Sequence, residues 1–146
     1  MKAQYLLDTN IIVFLLRGQM GIRDSIERIG IDQCHISEIT YAELLYGAEC
    51  SSNPAKNTAL VDRVLEDINM IPISSSLKVF AKCKAHLRKI GKIVDDADIL
   101  IGATAIDNKF IMVTENVKHF ENLPGITLEN WVKREVRKGD VVIVND

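Results

Sequence analysis

At 146 residues the chain has the length of a single domain, and with 47% hydrophobic but only 5% aromatic residues its core is expected to be aliphatic. A charged fraction of 26% argues against a disordered chain. A net charge of −2 and a pI near 5.9 exclude a protein that coats nucleic acid through bulk electrostatics, so any nucleic-acid contact needs a local basic patch.

The chain opens with MKAQYLLDTNIIVFLLRG, an apolar run broken by Asp8, Thr9 and Asn10 and followed by no small-residue cleavage site. A signal peptide is therefore not expected. Gln4 to Leu7 reads as a short buried strand, Asp8 as a helix cap, and Ile11 to Leu16 as a buried helix ended by Gly18 and Gly21. Cys34 to Ile36 is a second strand, and Ser37 caps a helix from about Glu38 to Gly47. The stretch 51–57, with Asn53 and Pro54, reads as a loop. Val61, Val64, Leu65 and Ile68 then recur at helical spacing. Met70 to Ile73 is the third strand, ahead of a loop at 74–76.

Phe80, Cys83, Leu87 and Ile90 give the next helix one apolar stripe, and Gly91 stops it. Asp95, Asp96 and Asp98 precede ILIGATAI, a helix apolar nearly all round and so central. Phe110 to Val113 is a fourth strand and Ile126 to Leu128 a fifth. Alternating strands and helices imply an α/β domain with a mostly parallel sheet covered on both faces. Beyond Trp131 the chain is basic at Lys133, Arg134, Arg137 and Lys138, and Val141 to Val144 is a candidate edge strand. No stretch approaches the roughly 18 apolar residues of a membrane span. The three cysteines, Cys34, Cys50 and Cys83, lack metal-ligand spacing and read as reduced, mostly buried thiols of a cytoplasmic protein.

In such sheets ligands bind outside the carboxyl ends of the strands, where the strand order reverses. Asp8 follows the first strand, Asp98 opens the central helix, and Asn116, beside Glu115, follows the fourth strand. Glu43 lies within a helix among apolar neighbours; buried it needs a partner, and a surface-facing Glu on an amphipathic helix is the alternative. Converging carboxylates repel one another, and a divalent cation removes the conflict. An oxygen-rich set of this kind suits Mg²⁺, and the absence of a His or Cys cluster argues against zinc.

LLDTNII at 6–12, YAELLYGA at 41–48, DADILIGATA at 96–105 and VTENVKHF at 113–120 resemble the four motifs of the PIN-domain family, in particular its VapC toxin branch. PGITLENW at 124–131 resembles the end of those proteins. The likeness spans about residues 4–131, so 1–131 is read as the PIN domain and 132–146 as a C-terminal tail. It implies a three-layer α/β/α sandwich and a Mg²⁺- or Mn²⁺-dependent endoribonuclease, with transfer RNA a candidate target. It also implies a homodimer inhibited by a VapB-like antitoxin. The family's acids fall on Asp8, Glu43 and Asp98, which would hold the metal. Its fourth motif supplies Asn116, able to order a water without adding charge. Asp96 and Glu115 are candidate helpers. Gly102 and Thr104 depart from the pattern, standing where these toxins often carry Ala and His.

Blander readings stand beside these. Asp8 and Asp98 serve equally as helix caps. The Lys and Arg run from Lys78 to Lys92 and the tail's basic residues read first as solvated surface, with RNA contact as the alternative and, for the tail, contact with the antitoxin or the second subunit. His35, His86 and His119 read as structural or surface residues, Trp131 as a packing anchor, and Phe14, Leu15 and Tyr46 as core or a partly exposed contact face. A phosphatase with an aspartyl nucleophile would need an acid where Asn10 stands, and a receiver domain would need adjacent acids after the first strand. A catalytically silent PIN scaffold and a non-toxin RNA-processing nuclease are the remaining alternatives.

Overall fold

The computed structural model describes residues 2–134. In chain order the strands are β1 (Tyr5–Leu7), β2 (Cys34–Ser37), β3 (Asn69–Ile71), β4 (Ile111–Val113) and β5 (Leu128–Glu129). The helices are α1 (Thr9–Leu16), α2 (Ile22–Ile29), α3 (Glu38–Glu49), α4 (Pro54–Val64), α5 (Leu77–Lys89), α6 (Asp96–Asn108) and α7 (Val117–Phe120). The strands form one sheet in the order β3-β2-β1-β4-β5, and every neighbouring pair is parallel.

A parallel pair needs a long crossover, so the helices must lie on the sheet's faces. The two-residue period of a strand divides the side chains between those faces. Leu7 and Val113 enter one core with Ile11, Ile12, Ile22, Ile26 and Val61 from α1, α2 and α4. Their neighbours Leu6 and Met112 enter a second core with Cys83, Leu87, Ile99 and Phe120 from α5, α6 and α7. The result is the expected three-layer sandwich. The chain winds outward from β1 to β2 and β3, then returns to lay β4 on the other side of β1, so the strand order reverses between β1 and β4.

Several local readings need correction. The stretch 51–57 is not wholly loop: α4 begins at Pro54, and the Asn53 side chain accepts from Lys56 N at 3.2 Å. Asn followed by Pro is a helix start, because Pro has no N–H to leave unpaired in the first turn. Helix α6 begins at Asp96 with Asp95 at its cap position, so Asp98 opens the helix from within its first turn rather than capping it. Helices α2 and α7 were not anticipated. Strand β5 lies one or two residues later than expected. Leu15 is core, Phe14 is half-buried and Tyr46 is exposed. The three cysteines are free, with Cys50 exposed and the other two buried.

The two departures from the motif pattern have packing reasons. A Cβ at Gly102 would stand 2.4 Å from Leu123 Cδ1, so a glycine lets the segment after α7 close on α6. The Thr104 hydroxyl donates to Leu100 O at 2.8 Å, which satisfies it inside the apolar layer. The packed body runs slightly past residue 131. Trp131 is a packing anchor, as read, with its ring centroid 5.1 Å from that of Tyr5, and Val132 is fully buried. The candidate edge strand at 141–144, with Arg137 and Lys138, lies outside the described residues. No helix among those described is long and apolar enough to cross a membrane.

Trp131 lies beyond the last helix, yet it closes the first core. Trp131→Ala is expected to cost about 3–5 kcal/mol of unfolding free energy, measured by urea titration followed by circular dichroism. A loss below about 1 kcal/mol would mean that this segment is only draped on the core.

Candidate active site

The carboxyl ends of β1 and β4 meet at the strand-order reversal, and Asp8 leaves β1 there. Its backbone N–H donates to Val113 O at 2.9 Å, extending the β1–β4 ladder by one bond. Its side chain does two things. Oδ1 accepts from Thr9 N at 2.8 Å, capping α1, and Oδ2 accepts from the Thr114 hydroxyl at 2.9 Å, just past β4. Cap and site are therefore the same carboxylate, and the two readings of Asp8 do not compete.

Asp8 is only 5% exposed. Burial pushes its carboxyl up to about 6 from an ordinary 3.8. The hydrogen bonds from Thr114 and from Thr9 N oppose that rise, while the charges of Asp98 and Glu43 add to it. The three acids thus share one electrostatic site although the sequence separates them by up to 90 positions.

Each acid is held by a different element. Glu43 is on α3, whose start is fixed by Ser37 Oγ accepting from Ile39 N at 3.1 Å. Glu43 is exposed, which is the surface-facing alternative rather than the buried reading. It still has a partner: the Thr9 hydroxyl donates to Glu43 Oε1 at 2.7 Å and lies 3.1 Å from Thr40 Oγ1. Glu43 lies mid-helix, and the apolar residues next to it in sequence do not enclose it. Asp98 is in the first turn of α6 and half-buried, with its Oδ2 3.0 Å from His119 Nε2. Asn116 is exposed and lines a cleft of about 720 Å³ with Asp98, Glu115, Lys118 and His119. It is anchored by its backbone, whose N–H donates to Thr114 Oγ1 at 3.0 Å, while its side chain caps nothing.

The candidate helpers divide. Asp96 lies two residues before Asp98, which on a helix turns it about 200° away. It pairs instead with Lys84, Nζ to Oδ1 2.8 Å. Glu115 stays at the cleft and pairs with Arg134. Four residues were missed: Thr9, Thr40, Thr114 and His119, the last read only as structural or surface. Thr9 and Thr114 each directly follow or precede an acid at a strand end, which was the available signal.

The donor set is oxygen throughout, which fits a hard divalent cation such as Mg²⁺ or Mn²⁺ rather than zinc. Among the described residues no three His, Cys, Asp or Glu side chains close into a ready-made cage. Mg²⁺ fits such an open arrangement, since it keeps several waters and takes one or two carboxylates plus phosphate oxygens. A groove lined by Val13, Leu16, Leu44, Ala48 and Val61 opens beside Thr9 and Glu43.

The chain belongs to the PIN-domain family, whose model matches residues 5–126. It is 34% identical over 131 residues to Ribonuclease VapC2 of Haemophilus influenzae, covering 88% of this chain and 98% of that protein. It is 31% identical over 130 residues to the tRNA(fMet)-specific endonuclease VapC of Salmonella typhimurium, with the same coverage. A crystal structure of DNA-bound VapBC from Salmonella typhimurium contains a chain that superposes with a TM-score of 0.83 at 30% identity, over 88% of this chain and 98% of that one.

The raised pKa of Asp8 has a consequence for stability. The folded protein holds this proton more tightly than the unfolded chain, so the contribution is fully present below pH 3.8 and is lost as pH rises through about 6. Above that, the metal-free fold carries a buried carboxylate at a cost of about 3 kcal/mol. Asp8→Asn is therefore expected to stabilise the metal-free protein by about 1–3 kcal/mol at pH 8 and to give no gain at pH 4, measured by chemical denaturation with chelator present. A destabilised variant at pH 8 would contradict this.

Proposed function

We propose that the protein is the toxin of a type II toxin–antitoxin pair, a cytoplasmic, metal-dependent endoribonuclease that hydrolyses RNA phosphodiester bonds. The observation that carries this reading is the buried Asp8 at the β1–β4 reversal, disfavoured as an anion by its own burial and by Asp98 and Glu43. A site built this way gains from a bound cation and has little other use for three acids.

Asp8, Asp98 and Glu43 would hold the Mg²⁺ or Mn²⁺. Once bound, such an ion offsets the charge developing on the phosphoryl oxygens and acidifies an attacking water. The chain's own groups do the rest. Thr114 and Thr9 N fix the plane of the Asp8 carboxylate, the Thr9 hydroxyl fixes Glu43, and His119 fixes Asp98. That leaves Glu43, the most exposed of the three acids, to orient the water that attacks phosphorus. Asn116, on the cleft wall, can order a water or a phosphate oxygen without adding charge.

A toxin–antitoxin complex from Klebsiella pneumoniae contains a chain of this fold at 29% identity, which supports a VapB-like antitoxin as partner here. The apolar groove beside Glu43 gives such a partner a route to the acidic site. A homodimer accords with the family likeness. The Salmonella relative makes transfer RNA the first substrate class to test.

Expression in a bacterium is expected to arrest growth and to break RNA, and purified protein to lose cleavage in chelator and regain it with Mg²⁺ or Mn²⁺. Asp98→Asn is expected to lower kcat by more than the 10–100-fold typical of changes one shell further out. Cleavage that persists in chelator, or at full rate in Asp98→Asn, would overturn the reading.

A further inference from the structure

We propose that the exposed face of α5, continued by Lys92, is the track on which the phosphate backbone of single-stranded RNA lies as it leads into the acidic site. The inference rests on the ribonuclease reading above and adds the surface that delivers the substrate.

The first observation is how unevenly charge is distributed. From residue 68 to 94 the chain carries Lys78, Lys82, Lys84, Arg88, Lys89 and Lys92 and no Asp or Glu. The remainder is therefore more negative than the total of −2. All six cations are exposed, and α5 turns Cys83 and Leu87 inward to the second core. No acid on the helix itself offsets them, so their fields add.

The second observation is where this face lies. Helix α5 packs along α6, and Lys84 Nζ sits 2.8 Å from Asp96 Oδ1 in the same first turn that presents Asp98. Lys84, Arg88 and Lys92 line one shallow depression with Ile99 of α6. The basic face thus meets α6 at the turn that carries Asp98, on the side of the helix that Asp96 occupies. The Lys84–Asp96 pair is exposed on both sides, and pairs of that kind are weak enough to yield to a phosphate.

A ribonuclease with an acidic centre and a net negative chain repels the backbone it must hold. A basic face beside the centre corrects this by raising the local concentration of RNA. Lysines suit the task, because flexible ammonium groups contact phosphates without reading bases. A second copy of this chain is a poorer occupant. A two-fold contact through α5 would set cation against cation, although Ile90 and Ile93 are exposed at its end.

The test uses full-length Asp8→Asn, expected to bind without cutting, and a fluorescent oligouridylate of about 12 nucleotides. Affinity is read by anisotropy across a KCl series in Mg²⁺. Adding Lys84→Gln, Arg88→Gln and Lys92→Gln together is expected to make the log–log salt slope shallower by about 2, because each single-strand phosphate contact contributes about 0.7. Adding Arg23→Gln and Lys56→Gln, which lie on α2 and α4, is expected to leave the slope unchanged. Lys92→Gln alone, outside the helix, is expected to remove about 0.7 and serves if the triple variant does not fold. An unchanged slope in a folded triple variant would overturn the proposal. So would loss of binding to phosphatidylglycerol vesicles with the RNA slope intact, or a change in sedimentation alone, which would mark the face as a lipid or self-contact. If Asp8→Asn binds no RNA and the unmodified chain cuts none, the ribonuclease reading fails instead.

Discussion

A carboxylate held out of water where two parallel strands part is the constraint around which this molecule is arranged. Asp8 cannot move away from that position. Its backbone completes the β1–β4 ladder, one carboxylate oxygen caps α1, and the other accepts from Thr114 beyond β4. Its charge is disfavoured by burial and further by Asp98 and Glu43. A fold tolerates such a group when something else in its working state relieves it. Here a hard divalent cation is the simplest relief, since every nearby donor on the three acids is oxygen.

The other elements serve that point from two directions. The core under α1, α2 and α4 fixes the helix that Asp8 caps, and through Thr9 it fixes Glu43. The core under α5, α6 and α7 fixes Asp98, with His119 reaching it from the last short helix. Leu6 and Leu7, adjacent in sequence, feed the two cores separately, so a one-residue slip of β1 would disorganise both sides of the site together. Charge is divided as clearly as packing, with acids at the strand ends and cations along α5. An acidic centre flanked by a basic face is coherent for an enzyme whose substrate is a polyanion.

Much of this was legible in the residues. The apolar runs before Asp8 and before Thr114 marked the central strands, and four short motifs brought three acids and Asn116 to one edge. What was not legible depended on tertiary context. Glu43 sits among Leu44, Leu45 and Tyr41, yet those side chains point elsewhere, so neighbours in sequence left its exposure undecided. Helix α2 is short and strongly charged, and its apolar face, Ile22 and Ile26, repeats too few times to stand out. The Asn53–Pro54 pair was read as loop because it interrupts a polar stretch, although it is also a helix start. His119 carried no paired spacing; only the fold shows that one turn of α7 sets it against Asp98.

The most direct test of the central claim is to locate the cation. A crystal grown with Mn²⁺ and measured at the manganese absorption edge is predicted to show an anomalous peak within about 2.0–2.3 Å of an Asp8 carboxylate oxygen, with Asp98 reached directly or through water. The same experiment on Asp8→Asn is predicted to lose the peak. A clean map with no peak at Asp8, or a peak that remains at this edge when Asp8 is replaced, would contradict the account.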